Sequence, residues 1–220
     1  MLFRFFDQFS NDPLGALVSI AGFIIALIIG ISVHEFSHAL SAYRLGDDTA
    51  KNQGRLTLNP KTHLDPMGTI MILFAGFGWG RPTPVTPRNL RLGEKAGSAV
   101  VSVAGPISNL IVVLITGIIF QLYMKSGADS IQVARILLTV IQLNLVLAIF
   151  NLLPIAPLDG FKIVLGLLPR DAALSFAKTE RYGMMILVLI IMADVFLNTA
   201  ILGRVISPGI NFLMRLVIGQ

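Results

Sequence analysis

The chain has no cysteine and only three histidines in 220 residues. The first absence excludes disulfides, thiolate metal sites and thiol catalysis together. Any bound metal must be held by His, Asp or Glu. Histidine is so scarce that the placement of His34, His38 and His63 is itself informative. Charge is the next scarcity. Only 13% of residues are charged, where a soluble domain carries roughly 25%. That leaves too little polar surface to dissolve a chain that is 55% hydrophobic, so an integral membrane protein is expected. The net charge of +5 does not point to nucleic acid. The basic residues lie mostly between apolar segments, where they orient spans and meet lipid headgroups, and no base-stacking aromatic pattern accompanies them. Residues 1–13 lack the basic stretch and apolar run of a cleavable signal, so the first apolar segment is expected to stay as a span.

Residues 14–33 are nearly all apolar and long enough to cross about 30 Å of hydrocarbon. Asn11, Asp12 and Pro13 read as a helix start. The helix is expected to run on through His38 and Ala42, with Gly46 as its stop. Three more spans are predicted over residues 96–123, 131–154 and 182–197, the first of them kinked at Gly105-Pro106. Residues 67–79 are short for a span, and 201–218 are broken by Ser207-Pro208-Gly209. Arg55-Leu56-Thr57-Leu58 alternates like a short strand, and Pro82, Pro84 and Pro87 demand irregular or extended backbone. The expected fold class is an all-α polytopic membrane protein of four to six transmembrane helices, with a small membrane-associated β-hairpin or re-entrant region near residues 50–90. One integral-membrane domain is expected over 1–220, with a core at about 14–166 and C-terminal helices at about 175–220.

Orientation follows from Lys and Arg. Residues 44–95 hold Arg44, Lys51, Arg55, Lys61, Arg81, Arg88, Arg91 and Lys95, whereas the N-terminal segment offers only Arg4. The first span therefore runs from outside to cytoplasm. If 67–79 does not cross, the next two spans go out and return, which brings Asp159 to the cytoplasmic side with His34 and His38. The expected location is the cell membrane, multi-pass, with this side toward the cytoplasm.

His34-Glu35-Phe36-Ser37-His38 carries the chemistry. Positions i and i+4 share a helix face, so both imidazoles can reach one metal ion. Glu35 projects beside them and can take a proton from a water acidified by zinc. Ionisable groups at the end of an apolar span are costly and mark function by default. A catalytic zinc usually has a third protein ligand. Asp159 is a candidate because Pro154 and Pro157 break the helix ahead of it and Gly160 frees the backbone beside it. Its other reading is an N-cap for the short helix that follows. The topology favours the ligand. His63 lies in a loop entering an apolar segment. It reads either as a gating or supporting residue or, more simply, as a packed loop histidine, and not as a ligand.

These elements together resemble the site-2 protease family of intramembrane zinc metalloproteases. The resemblance rests on His34 to His38 in the first span, on Ala104-Gly105-Pro106-Ile107-Ser108-Asn109, and on Asn151-Leu152-Leu153-Pro154 leading to Leu158-Asp159-Gly160, in that order. It spans residues 14–166. It implies His34, His38 and Asp159 as ligands of one Zn²⁺ per chain and Glu35 as general base. It also implies a place for Asn109 near the scissile peptide, although a helix-to-helix hydrogen bond would satisfy that amide equally well. The implied reaction is hydrolysis of peptide bonds in a transmembrane helix of a membrane-protein substrate within the bilayer. An extended substrate could then lie along residues 55–58 and 80–87. The alternative is a non-catalytic membrane metal-binding or cation-transport protein, which would have no specific need for Glu35. Two positions depart from the family pattern: Ala156, where relatives often carry proline, and Phe161, where a second glycine is common. Neither touches a ligand, and the chain leaves no room for a PDZ or CBS domain.

Overall fold

The computed structural model describes residues 12–75, 78–127 and 129–219. Among the described residues it is all-helical. The long helix α1 (Pro13–Arg44) begins as the sequence dictates. Asp12 accepts a hydrogen bond from the Gly15 N–H at 2.9 Å, and Pro13 opens the first turn, where its missing donor costs nothing. The helix stops at Gly46, whose φ of +100° suits glycine. Three short helices follow: α2 (Thr49–Asn52), α3 (Pro60–His63) and α4 (Pro66–Ala75). After a 3₁₀ turn at Pro87–Asn89 come α5 (Glu94–Lys125) and α6 (Ile131–Asn151), then α7 (Asp159–Leu167), α8 (Arg170–Ala177), α9 (Glu180–Leu197) and α10 (Ile201–Ile218).

Helices α1, α5 and α6 pack against one another and form the centre. Phe23, Leu27 and Ile31 of α1 bury against Leu64, Ile72 of α4 and Leu143 of α6. Val113, Ile141, Leu145 and Val217 join α5, α6 and α10. The outward faces are equally apolar: Leu114, Ile115, Ile118, Ile119 and Leu122 are each about half exposed or more. In water that surface would be a liability; in lipid it is the expected exterior. Among the described residues four helices are long and apolar enough, with few enough charges, to cross a bilayer: α1, α5, α6 and α10.

One expectation changes. The β-hairpin near residues 50–90, alone or in a re-entrant element, is not formed. Among the described residues the nearest approach to a sheet is one isolated bridge between Leu64 and Gly80. Proline at 82, 84 and 87 removes the donors a ladder needs, and Asn59-Pro60 starts α3 instead, with Asn59 accepting from the Lys61 N–H. Helix α4, at 10 residues, is about 15 Å long and does not cross. The two C-terminal candidates differ in charge. Residues 182–197 do form a helix, but α9 carries Glu180, Arg181 and Asp194. α10, which continues through Pro208 and carries two charged residues, Arg204 and Arg215, is among the four.

Candidate active site

His34 lies ten residues before the end of α1, about 15 Å along the helix, so the site is inside the molecule. Both imidazoles are buried, at 7% and 8% exposure. They face α5 at Val101 and Gly105, and Gly105 is why they fit. A Cβ there would lie 2.5 Å from His38 Nε2 and 2.6 Å from His34 Cε1.

The hydrogen bonds fix both tautomers. His38 Nδ1 is 2.7 Å from the Val101 carbonyl oxygen, which can only accept, so Nδ1 carries the proton. Asn109 is oriented by its amide nitrogen, which donates to the Gly30 carbonyl at 3.1 Å and to Asn144 Oδ1 at 2.9 Å. Its Oδ1 therefore accepts from His34 Nδ1–H at 2.7 Å. Asn144 in turn donates to the Val140 carbonyl. Both Nε2 atoms are left as bare lone pairs, 3.0 Å apart.

Asp159 closes the triangle. Its Oδ2 lies 3.1 Å from His34 Nε2 and 3.2 Å from His38 Nε2. Helix α6 ends at Asn151, and the proline-broken turn that follows returns the chain so tightly that a Cβ on Gly160 would lie 2.2 Å from the Leu152 carbonyl oxygen. The N-cap of α7 is Leu158, without a side-chain cap bond, so the Asp159 carboxylate does not cap this helix. Phe161 is buried and stacks on Phe176 of α8, with ring centroids 4.8 Å apart.

The arrangement suits a cation. Two imidazole lone pairs and a carboxylate oxygen, all within 4.8 Å of one another, repel one another unless a positive charge sits among them. Two nitrogens and one oxygen are a donor set that zinc accepts. Glu35 also lines the cavity of about 140 Å³ that opens onto this cluster, with Thr83, Asn151 and Lys162 on its other walls. The sequence-predicted residues thus fall into two layers. His34, Glu35, His38 and Asp159 border the cavity, while Asn109 lies behind His34 and is fully buried. In the sequence Asn144 signals itself only as an amide inside an apolar helix. His63 is elsewhere, buried at the end of α3 with Nε2 2.7 Å from the Thr57 carbonyl oxygen.

Residues 119–193 match the family model described as Peptidase family M50. Over 215 residues the chain is 40% identical to a Bacillus subtilis (strain 168) protein named "Putative zinc metalloprotease YwhC", covering 96% of this chain and 95% of that one. The chain belongs to peptidase family M50. The Rip2 protein of Mycolicibacterium smegmatis, whose name carries the same zinc metalloprotease description, is 29% identical over 178 residues, 80% of this chain and 66% of its own length. That of Mycobacterium tuberculosis (strain ATCC 25618 / H37Rv) is 28% identical over 177 residues, 79% and 66% respectively. No solved structure gives a significant match. M50 is the site-2 protease family whose motifs the sequence resembles. The stretch matched by the family model contains Asp159 and its proline-broken turn.

Proposed function

We propose that this M50 peptidase is an intramembrane zinc metalloendopeptidase that hydrolyses peptide bonds in or near transmembrane segments of membrane proteins. In this reading His34 Nε2, His38 Nε2 and the Asp159 carboxylate hold the ion, and Glu35 is the general base. The observation that carries it is the convergence of three ligand atoms whose partners leave them no other use. Both Nδ1 protons are committed to protein oxygens, and Asp159 Oδ2 is buried with no hydrogen-bond donor among the described residues.

The residues divide the work. His38 is held by the Val101 carbonyl and His34 by Asn109, so each presents a lone pair without searching for it. Zinc, when bound, supplies Lewis acidity toward a peptide carbonyl and toward the attacking water. Glu35 takes the proton of that water and returns it to the leaving amine. The buried walls of the cavity strengthen these charge interactions. A helical substrate hides its carbonyls in internal hydrogen bonds and must unwind locally before it enters. For Asn109 the geometry favours a role through His34 over direct contact with substrate. We also read residues 1–220 as one metalloprotease domain, since α10 shares a core cluster with α5 and α6, and we orient the site toward the cytoplasm on the Lys and Arg of residues 44–95.

Glu35→Gln tests the function. In proteoliposomes with a transmembrane reporter, the variant should keep one zinc per chain and lose about 10²-fold or more in cleavage rate. A wild-type chain that binds zinc yet cuts no member of a reporter panel would return the reading to metal storage or transport.

A further inference from the structure

Thr83 touches Glu35 twice and has no part in the reaction described so far. It sits between Pro82 and Pro84 in the extended stretch after α4. Its main-chain N–H donates to Glu35 Oε2 at 2.8 Å, and its hydroxyl donates to the Glu35 main-chain carbonyl at 2.9 Å. One residue, 48 positions away in sequence, therefore holds both the carboxylate and the backbone of Glu35. The flanking prolines have no N–H, so Thr83 carries the one main-chain donor between residues 82 and 84.

The stretch is pinned on either side of Thr83. On one side the Arg81 N–H donates to the His63 carbonyl at 2.7 Å. On the other, the Thr86 N–H donates to Asp47 Oδ2 at 2.7 Å. Asp47 is fully buried and also accepts from the Asn89 side chain at 3.0 Å and from the N–H and hydroxyl of Thr49. Burial pushes the Asp47 carboxyl up, but these donors outweigh it and hold it below the usual carboxylate range. Thr83 is thus presented to Glu35 from a fixed frame beside the end of α1.

We propose that Thr83 is a positioning residue for the general base: its hydroxyl on the Glu35 main-chain carbonyl sets the register in which its N–H clamps one Glu35 carboxylate oxygen, so that the other is aimed into the cavity. The proposal rests on the reading of Glu35 as base. A glutamate on a helix has several rotatable bonds and, without a partner, samples several rotamers. A general base must instead lie within about 2.6–3.2 Å of the proton it takes. Thr83 and Glu35 line the same cavity, so the clamp acts where the water would stand. Had Thr83 only tied the loop to α1, loss of its hydroxyl would lower stability and leave turnover alone.

Two measurements test this. Thr83→Val keeps the shape and the N–H but loses the hydroxyl; Thr83→Ser keeps both donors. In the reporter assay Thr83→Val should lower kcat about tenfold with KM and zinc content unchanged, and Thr83→Ser should restore it to within about twofold. Independently of cleavage, hydrogen exchange of ¹⁵N-threonine protein should show the Thr83 amide protected in wild type and exchanging about tenfold faster in Glu35→Ala, while the Thr86 amide on Asp47 stays slow. A Thr83→Val chain that cleaves at the wild-type kcat overturns the proposal, as does a Thr83 amide indifferent to Glu35→Ala. A wild-type chain that cuts nothing fails the functional reading instead, and the exchange measurement still decides whether the clamp exists.

Discussion

Asn109 couples the candidate metal ligands to the interior. Its side chain is fully buried, and all three of its contacts, to His34, Gly30 and Asn144, are made across helix interfaces. Asn109→Ala would leave His34 Nδ1–H, the Gly30 carbonyl and Asn144 Oδ1 short of a partner. An unsatisfied buried group costs about 1–3 kcal/mol, and loss of a ligand's orienting partner typically weakens metal affinity by about 10–100-fold. Zinc competition against a chromophoric chelator should therefore show Asn109→Ala in that range. Asn144→Ala should show less, because it reaches His34 only through Asn109. Equal affinity for Asn109→Ala and wild type would mean that the imidazole is held by other means. The sequence marked Asn109 as a buried amide in need of a partner, yet could not name the partner. His34 is 75 positions away, and no spacing rule connects an amide on one helix to an imidazole on another. His34 and His38 were legible because their four-residue spacing is local.

At the scale of elements, the crossing of α1 and α5 decides whether the two imidazoles can meet an ion at all. Gly105 is the contact point, and it sets two effects against each other. Alanine is favoured over glycine in a helix interior by about 1 kcal/mol, so Gly105→Ala should leave α5 formed. The new Cβ, however, would stand 2.5 Å from His38 Nε2, closer than van der Waals contact permits. The helix has to back away or the imidazoles have to turn, and either breaks the triangle with Asp159. Gly105→Ala should keep its helical circular dichroism and lose at least about tenfold in zinc affinity; unchanged affinity would place the ligands elsewhere. The helices themselves were readable from long apolar runs, and α1 from its Asp12-Pro13 start and Gly46 stop. The region between α1 and α5 was not. Four alternating residues at 55–58 are too short a signal to separate strand from turn, and three prolines deny the partner strand its donors. Near the C-terminus Pro208 reads as a break, yet α10 continues through it, as helices do when the surrounding structure or an apolar medium tolerates one missing bond.

The whole molecule adds a direction. The loops between α1 and α5 carry a cluster of basic residues, Lys51, Arg55, Lys61, Arg81, Arg88 and Arg91, and they are fastened to the end of α1: the Arg91 N–H donates to the Leu45 carbonyl at 2.8 Å, and Leu90 packs on Ala42 and Val101. The connection from α5 to α6 lies at the opposite end of both helices. If basic loops stay inside, residues 44–95 face the cytoplasm and residues 126–130 face out, and the cavity with Glu35 and Asp159 opens toward the basic side. The absence of cysteine makes this directly measurable, because any introduced thiol is the only one. Lys61→Cys and Ser126→Cys both place it on an exposed position outside the spans. A membrane-impermeant maleimide added to intact cells should label Ser126→Cys and spare Lys61→Cys, with Lys61→Cys reacting only after the membrane is opened. Labelling of Lys61→Cys in intact cells would invert the chain, and with it the side from which a substrate helix must present its scissile bond.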